Sequence, residues 1–120
     1  MIRLAVVDDH AAVRLSYADY LGDQDGIEVV GEGAHGLEAV ELCREAAPDV
    51  LVMDVRMPVM DGIEATRVIK QVSPATRVIL VSAYEQDELV DSGLRAGADL
   101  FLLKGLTGAE LVARVRELAP

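Results

Sequence analysis

Two hydrophobic patterns take turns along the chain. The first consists of short apolar runs: Ile2–Val7, Ile27–Gly31, Asp49–Met53, Arg77–Val81 and Leu100–Leu103. Runs of this length without polar alternation belong to strands buried on both faces, as in a parallel sheet covered by helices. The second pattern has helical spacing. It places Val13, Tyr17, Tyr20 and Leu21 on a helix ending at Gly22, and Leu37, Val40, Cys43 and Ala47 on a helix over 37–47. Ala65, Val68, Ile69 and Val72 give a third helix its apolar stripe. A fourth helix covers 86–96 and closes at Gly97, and a last one carries Leu111, Val112, Val115 and Leu118 inward. Punctuation agrees with these limits. Pro48 stops the second helix, Asp61 is a good N-cap for the third, Ser73-Pro74 breaks it, and Thr107 with Glu110 forms a capping box for the fifth. Five strands alternating with five helices predict an α/β fold, a doubly wound (βα)5 unit of flavodoxin-like type. Its single five-stranded parallel sheet should have strand order 2-1-3-4-5.

Composition narrows the setting. The 120 residues support one domain, 1–120, around one core. That core is aliphatic, since hydrophobic residues make up 52% of the chain and aromatics only 3%. No apolar run approaches the ~20 residues of a membrane helix, and no secretory leader is visible, so no membrane contact and a cytoplasmic location are expected. The single Cys43 excludes an internal disulfide and reads as a small buried hydrophobe. A net charge of −10 excludes nucleic-acid binding by this chain, which would require a basic patch against phosphates.

Chemistry concentrates at strand ends. The stretch Pro48–Gly62, PDVLVMDVRMPVMDG, reads as a central strand, a carboxylate at its carboxyl end (Asp54), a rigid Met57-Pro58 turn and a capped helix. By itself, Asp54 is as readily a turn residue as a functional one. The other strands change that balance: the first runs into Asp8 and Asp9, the fourth ends at Ser82, and the fifth delivers Lys104, one of only two lysines. In an open α/β sheet these ends meet at one edge. Three carboxylates gathered there repel each other unless a cation compensates. Mg²⁺ suits such a set because it accepts a few carboxylate oxygens and keeps several waters. Lys104 supplies a point charge and Ser82 a hydroxyl for phosphoryl oxygens, and Asp54 is the natural nucleophile.

The residues Asp8-Asp9, MDVRMPVMDG around Asp54, Ser82-Ala83 and Lys104 together resemble the receiver domain of two-component response regulators, over essentially the whole chain. VVDDH, VVGEG and LRAGADLFLLK are similar to the NarL/FixJ (LuxR-type) subgroup in particular. The resemblance implies that Asp54 accepts phosphate from the phosphohistidine of a sensor histidine kinase. It further implies that Asp9, Asp54 and the main-chain carbonyl of Arg56 hold Mg²⁺, with Asp8 acting through water. Lys104 and Ser82 would hold the phosphoryl oxygens, Phe101 would move inward with Ser82 on activation, and Arg56 and Tyr84 would flank the line of water attack and tune dephosphorylation. A homodimer formed on phosphorylation is within the family's range. DNA would be reached only through an output domain, which these 120 residues do not contain, so the expected context is the N-terminal receiver of a LuxR-type transcriptional regulator. A stand-alone receiver acting through protein contacts is the alternative. Two positions depart from the family pattern. Gly105 follows Lys104 where proline or aspartate is usual, which predicts a looser loop. His35 replaces a capping aspartate, which predicts a less sharp start to the second helix.

Other classes fit less well. A phosphatase using an aspartyl-phosphate needs an acid two residues after its nucleophile, and that position is Arg56 after Asp54 and His10 after Asp8. The chain is therefore expected to act only on its own phosphorylation state, not as an enzyme. A receiver-like module that has lost phosphorylation would show erosion of the acidic pair, Asp54 or Lys104, and none is eroded. His10 reads as a surface loop histidine because Mg²⁺ prefers oxygen. Phe101 is a core residue first. Met57 and Met60 read as packing around the loop, and Glu85, Asp87, Glu88 and Asp91 as a solvated helix face that could also help select a partner.

Overall fold

The computed structural model describes residues 1–84 and 86–120. Five strands, β1 (Ile2–Val7), β2 (Ile27–Gly33), β3 (Val50–Asp54), β4 (Arg77–Ser82) and β5 (Leu100–Leu103), form one sheet in the order β2-β1-β3-β4-β5. Every pairing is parallel. The helices are α1 (Ala11–Gly22), α2 (Gly36–Ala46), α3 (Gly62–Val72), α4 (Asp87–Ala96) and α5 (Gly108–Leu118). This is the architecture and strand order expected from the sequence.

The sheet separates two apolar layers. Ala5, Val7, Leu51, Met53, Val78 and Leu80 face a layer that includes Ala39, Val40 and Cys43 of α2 and Ala65 and Ile69 of α3. Leu4, Val6, Val50, Val52, Ile79 and Val81 face Leu21 of α1 and Leu111, Val112 and Val115 of α5. Successive residues of β3 thus point to opposite faces, and all five are buried. That explains the unbroken apolar run, because neither face of the central strand meets water.

Helix faces were less legible than strands. Leu37 and Val72, assigned inward by spacing, are exposed, and Tyr20 is 43% exposed. Ala39, Thr66 and Ala18 lie inward instead. At Ala39 and Thr66 small residues fit because α2 and α3 pack close to each other, so bulk there would hold the helices apart. Ala47 does not extend α2; it caps it in the left-handed region at φ 43°, just before Pro48. The start of α2 is sharper than expected. His35 Nδ1 accepts from the Glu38 amide at 3.3 Å, and the Glu38 carboxylate accepts from the Ala34 amide at 2.8 Å, so an imidazole takes the place of a carboxylate cap. Asp61 caps α3 through the Glu64 amide, and Thr107 with Glu110 forms the full capping box on α5. Met57 and Met60 pack at the margin of the α2–α3 layer, and Cys43 is buried with its thiol pushed up to about 12 by desolvation.

Candidate functional site

The carboxyl ends of β1, β3, β4 and β5 bring Asp8, Asp54, Ser82 and Lys104 to one edge, with Asp9 and His10 in the loop after β1. Asp8 is almost fully buried at 2% exposure, and Asp54 is buried at 6%. The Lys104 ammonium lies between them, 3.0 Å from Asp8 Oδ2 and 3.3 Å from Asp54 Oδ1. Its backbone is fixed as well, because the Lys104 amide donates to the Ser82 carbonyl at 2.7 Å. Gly105 follows with φ +101°, a backbone that side chains rarely adopt and glycine takes freely. The glycine therefore allows a sharp turn directly after a well-anchored lysine, and the position of Lys104 is set despite the departure from the family pattern.

Each carboxylate has a different degree of satisfaction. Asp8 Oδ1 accepts from the His10 amide at 2.9 Å and Oδ2 holds Lys104, so both its oxygens are engaged. Asp54 Oδ1 accepts from the Val55 amide at 2.9 Å and from Lys104, while no hydrogen bond reaches its Oδ2 among the described residues. Asp9 Oδ1 is buried with no hydrogen-bond partner among the described residues, although His10 Nδ1 approaches to 3.2 Å. A buried carboxylate oxygen without a donor is costly unless something else compensates it. Ligand atoms of Asp8, Asp9, His10 and Asp54 all lie within 4.8 Å of one another.

The electrostatics follow from this crowding. Burial, with the nearby Asp8 carboxylate adding to it, pushes the Asp54 pKa above the ordinary range even though Lys104 opposes the shift. Burial alone would lower the pKa of Lys104, but Asp8 and Asp54 outweigh it and hold the ammonium more firmly charged. Tyr17 of α1 senses the same charges. Its pKa is raised by burial, with Lys104 acting against the shift and Asp8 and Asp54 adding to it.

Ser82 is buried beside Asp54, and its Oγ accepts from the Tyr84 amide at 3.1 Å. A cavity of about 220 Å³ opens over Asp54, lined by His10, Arg56, Ser82, Ala83, Tyr84 and Lys104. Across it the Arg56 guanidinium sits 5.4 Å from the centre of the Tyr84 ring, within cation–π range. Phe101 lies away from the cavity, half-buried on the α3–α4 side, where a Cβ added to Gly93 of α4 would come 3.0 Å from its ring. His10 is largely exposed, as expected of a loop histidine, but its ring leans on the acidic pair. Asp87, Glu88 and Asp91 are exposed on α4, and Glu85 of that acidic group lies outside the described residues.

Two contributors were missed by sequence reasoning. Gly62 opens α3 directly behind Asp54, and a Cβ there would overlap the Asp54 carbonyl oxygen. A glycine next to the Asp61 cap was the available signal. Arg14 of α1 donates to the Asp8 carbonyl at 2.9 Å. No spacing rule connects those two positions, because the loop after β1 and the first turn of α1 separate them.

Residues 4–116 match the family model described as response regulator receiver domain. The chain is 40% identical over 116 residues to the response regulator protein VraR of Staphylococcus aureus, covering 97% of this chain and 56% of that protein. It therefore spans about half the length of the curated relatives it matches. Among solved structures, the signal receiver domain of the putative response regulator NarL from Mycobacterium tuberculosis superposes with a TM-score of 0.93 at 37% identity, covering 97% of this chain and 94% of that one. A LuxR-family two-component response regulator from Aurantimonas gives 0.89 at 35% identity, covering 99% and 88%. With the strand order, the acid cluster and the lysine in place, the chain belongs to the response regulator receiver domain family.

Proposed function

We propose that this receiver is a phosphorylation-controlled switch whose acceptor is Asp54. The observation that carries the reading is the pair of buried carboxylates, Asp8 and Asp54, held by one lysine beneath an open cavity. Asp54 Oδ1 is occupied by Val55 and Lys104, which leaves Oδ2 free as the attacking oxygen. In the transfer, Oδ2 forms a bond to phosphorus as the bond from phosphorus to the imidazole nitrogen of the donor breaks. The donor imidazole leaves with the electron pair. Lys104 is placed to neutralise a phosphoryl oxygen, and the Ser82 hydroxyl can donate to another, since Tyr84 occupies it only as an acceptor.

The residues present fit Mg²⁺. The unpartnered Asp9 Oδ1 is a hard oxygen donor close to the Asp54 carboxylate, while Asp8 is already engaged by His10 and Lys104. Asp9, Asp54 and the main-chain carbonyl of Arg56 would hold the ion directly, with Asp8 acting through water. When bound, Mg²⁺ would neutralise the carboxylates and polarise the phosphoryl group.

The phosphodonor is a sensor histidine kinase, in keeping with membership of the receiver family. Phosphorylation would draw the Ser82 hydroxyl toward Asp54 and let Phe101 move inward, changing the partner-binding face. Homodimerisation is one readout of that change. The half-length coverage of VraR and the LuxR-family neighbours support a receiver that precedes a DNA-binding output domain in a cytoplasmic transcriptional regulator. No helix is long and apolar enough to cross a membrane among the described residues. The receiver acts on its own phosphoryl group and on no other substrate.

The test uses a small-molecule phosphodonor with Mg²⁺. The parent should gain one phosphoryl group, labile to base, and Asp54→Asn should gain none because an amide is neither anionic nor nucleophilic. Labelling that persists in the variant would remove Asp54 as the acceptor.

A further inference from the structure

Asp9 is the least supported member of the acid cluster. Its Oδ1 has no hydrogen bond among the described residues, and the side chain that approaches it is the mostly exposed His10. The direction of its carboxylate is therefore set by its own backbone. That backbone is clamped from one side by an ordinary strand bond, the Asp8 amide to the Gly33 carbonyl at 3.0 Å. On the other side it is clamped by a side chain. Arg14 donates from Nη1 to the Asp8 carbonyl at 2.9 Å, which orients the peptide plane joining Asp8 to Asp9. Arg14 is itself fixed, since it is only 20% exposed and its Nε lies 3.5 Å from the Glu32 carboxylate near the end of β2.

We propose that Arg14, anchored by Glu32, is a positioning residue that aims Asp9 at the Mg²⁺ ion. The proposal rests on the reading of Asp9 as a direct metal ligand. The chain Glu32–Arg14–Asp8 carbonyl–Asp9 joins β2, α1 and the loop after β1 into one support. It resembles the outer-sphere partners that orient metal ligands elsewhere, with the difference that it acts on the ligand's peptide rather than on its carboxylate.

Charge and positioning predict opposite signs, which makes the inference testable. If Arg14 mattered only as a cation near three carboxylates, removing it would tighten Mg²⁺ binding. As a positioning residue, its removal weakens binding. Calorimetric titration of the full chain with Mg²⁺ should show Arg14→Gln weakened by about tenfold, a typical loss for an outer-sphere partner. Arg14→Lys, which keeps the charge and one donor but not the fork, should recover part of the loss. Glu32→Gln leaves the guanidinium in place and frees it from its anchor, so it should show a smaller weakening. It also keeps the test open if Arg14→Gln folds poorly by circular dichroism. Arg116→Gln, at the opposite end of the sheet where Arg116 meets the Asp25 carbonyl, controls for net charge and should not weaken binding.

The decisive arm is Asp9→Asn. In that background Arg14→Gln should cause no further loss, because the ligand it aims is already gone. Unchanged or tighter binding in Arg14→Gln, or an equal loss with and without Asp9, would overturn the proposal. If Asp9→Asn alone binds Mg²⁺ as the parent does, the metal-site reading fails and this inference falls with it. Weakened binding in Asp9→Asn with none in Arg14→Gln overturns the positioning role alone.

Discussion

Removing the charge of Asp54 should make the metal-free protein more stable. Asp54 is a buried carboxylate that faces one ammonium and two other carboxylates. At an effective dielectric of about 20, Lys104 at 3.3 Å attracts it by ~5 kcal/mol. Ligand atoms of Asp8 and Asp9 lie no more than 4.8 Å away, and each repels it by at least ~3.5 kcal/mol on the same scale. Repulsion exceeds attraction by about 2 kcal/mol before any cost of burial, and the partial exposure of Asp9 reduces that figure somewhat. The amide introduced by Asp54→Asn keeps an oxygen for the Val55 N–H and carries no charge. The variant should therefore gain roughly 1–3 kcal/mol at pH 7 in EDTA, raising the urea midpoint by about 1 M.

The pH dependence gives a second handle on the same prediction. The folded-state pKa of Asp54 is raised, first by burial and then by Asp8, so the folded parent binds its proton more tightly than the unfolded chain does. Parent stability from this group then falls as pH rises from the ordinary carboxylate value of about 3.9 through the raised one. The gap between Asp54→Asn and parent should open over that window and close below about pH 4. Excess Mg²⁺ should narrow it at pH 7, because an ion held in part by Asp54 would bind the native parent more tightly than the variant. Urea unfolding at several pH values, with EDTA and with Mg²⁺, measures all three trends. A variant no more stable than the parent in EDTA at pH 7, or a gap that ignores pH, would refute the electrostatic reasoning.

Two further outcomes test the loops around the site. Gly62→Ala should cost about 1–3 kcal/mol and slow phosphorylation, because its Cβ would meet the backbone of Asp54 and Val55, which cannot step aside as a flexible side chain can; parent-like unfolding and labelling would count against this. The Arg56–Tyr84 stack should shield the phosphoryl group from in-line water, so phospho-Asp54 should decay roughly tenfold more slowly in the parent than in Arg56→Asn/Tyr84→Ala at matched Mg²⁺ once donor is removed. Equal or faster decay in the parent would mean the stack does not exclude water.

How far the sequence could be read depended on which physical constraint acted at each position. Strands were legible because a parallel strand buried on both faces leaves no room for polar residues. Val50–Met53 carried that signal and located Asp54 at its end. The convergence of Asp8, Asp54, Ser82 and Lys104 was legible because topology alone brings the ends of parallel strands together. Helix faces were less so. Leu37 is large and apolar yet exposed, while Ala39 and Thr66 are fully buried, because close helix approach selects small residues that a hydrophobicity pattern undervalues. His35 as a cap was misjudged since an imidazole nitrogen accepts as a carboxylate oxygen does, a property of the atom rather than of the usual residue list. Arg14 and Gly62 act on main-chain atoms of the acidic residues, and contacts of that kind leave no mark in spacing.

The same contrast explains why the site is built as it is. The fold's stability comes from the two aliphatic layers, and nothing in those layers requires Asp8 to be 2% exposed beside a second buried acid. A single lysine offsets two carboxylates directly, which leaves the third with an unpartnered oxygen among the described residues and the cluster with excess negative charge. A cation taken up there would relieve a repulsion already present, and under the proposed function it would also offset the charge of a phosphoryl group held by Lys104 and Ser82. The supports that hold the carboxylates together against that repulsion are main-chain anchors: the Val55 amide on Asp54, the His10 amide on Asp8, the Lys104 amide on Ser82 and the Arg14 guanidinium on the Asp8 carbonyl. Rigid backbone is the suitable material for this, since flexible side chains under the same repulsion would swing apart into water and leave no preformed site to charge.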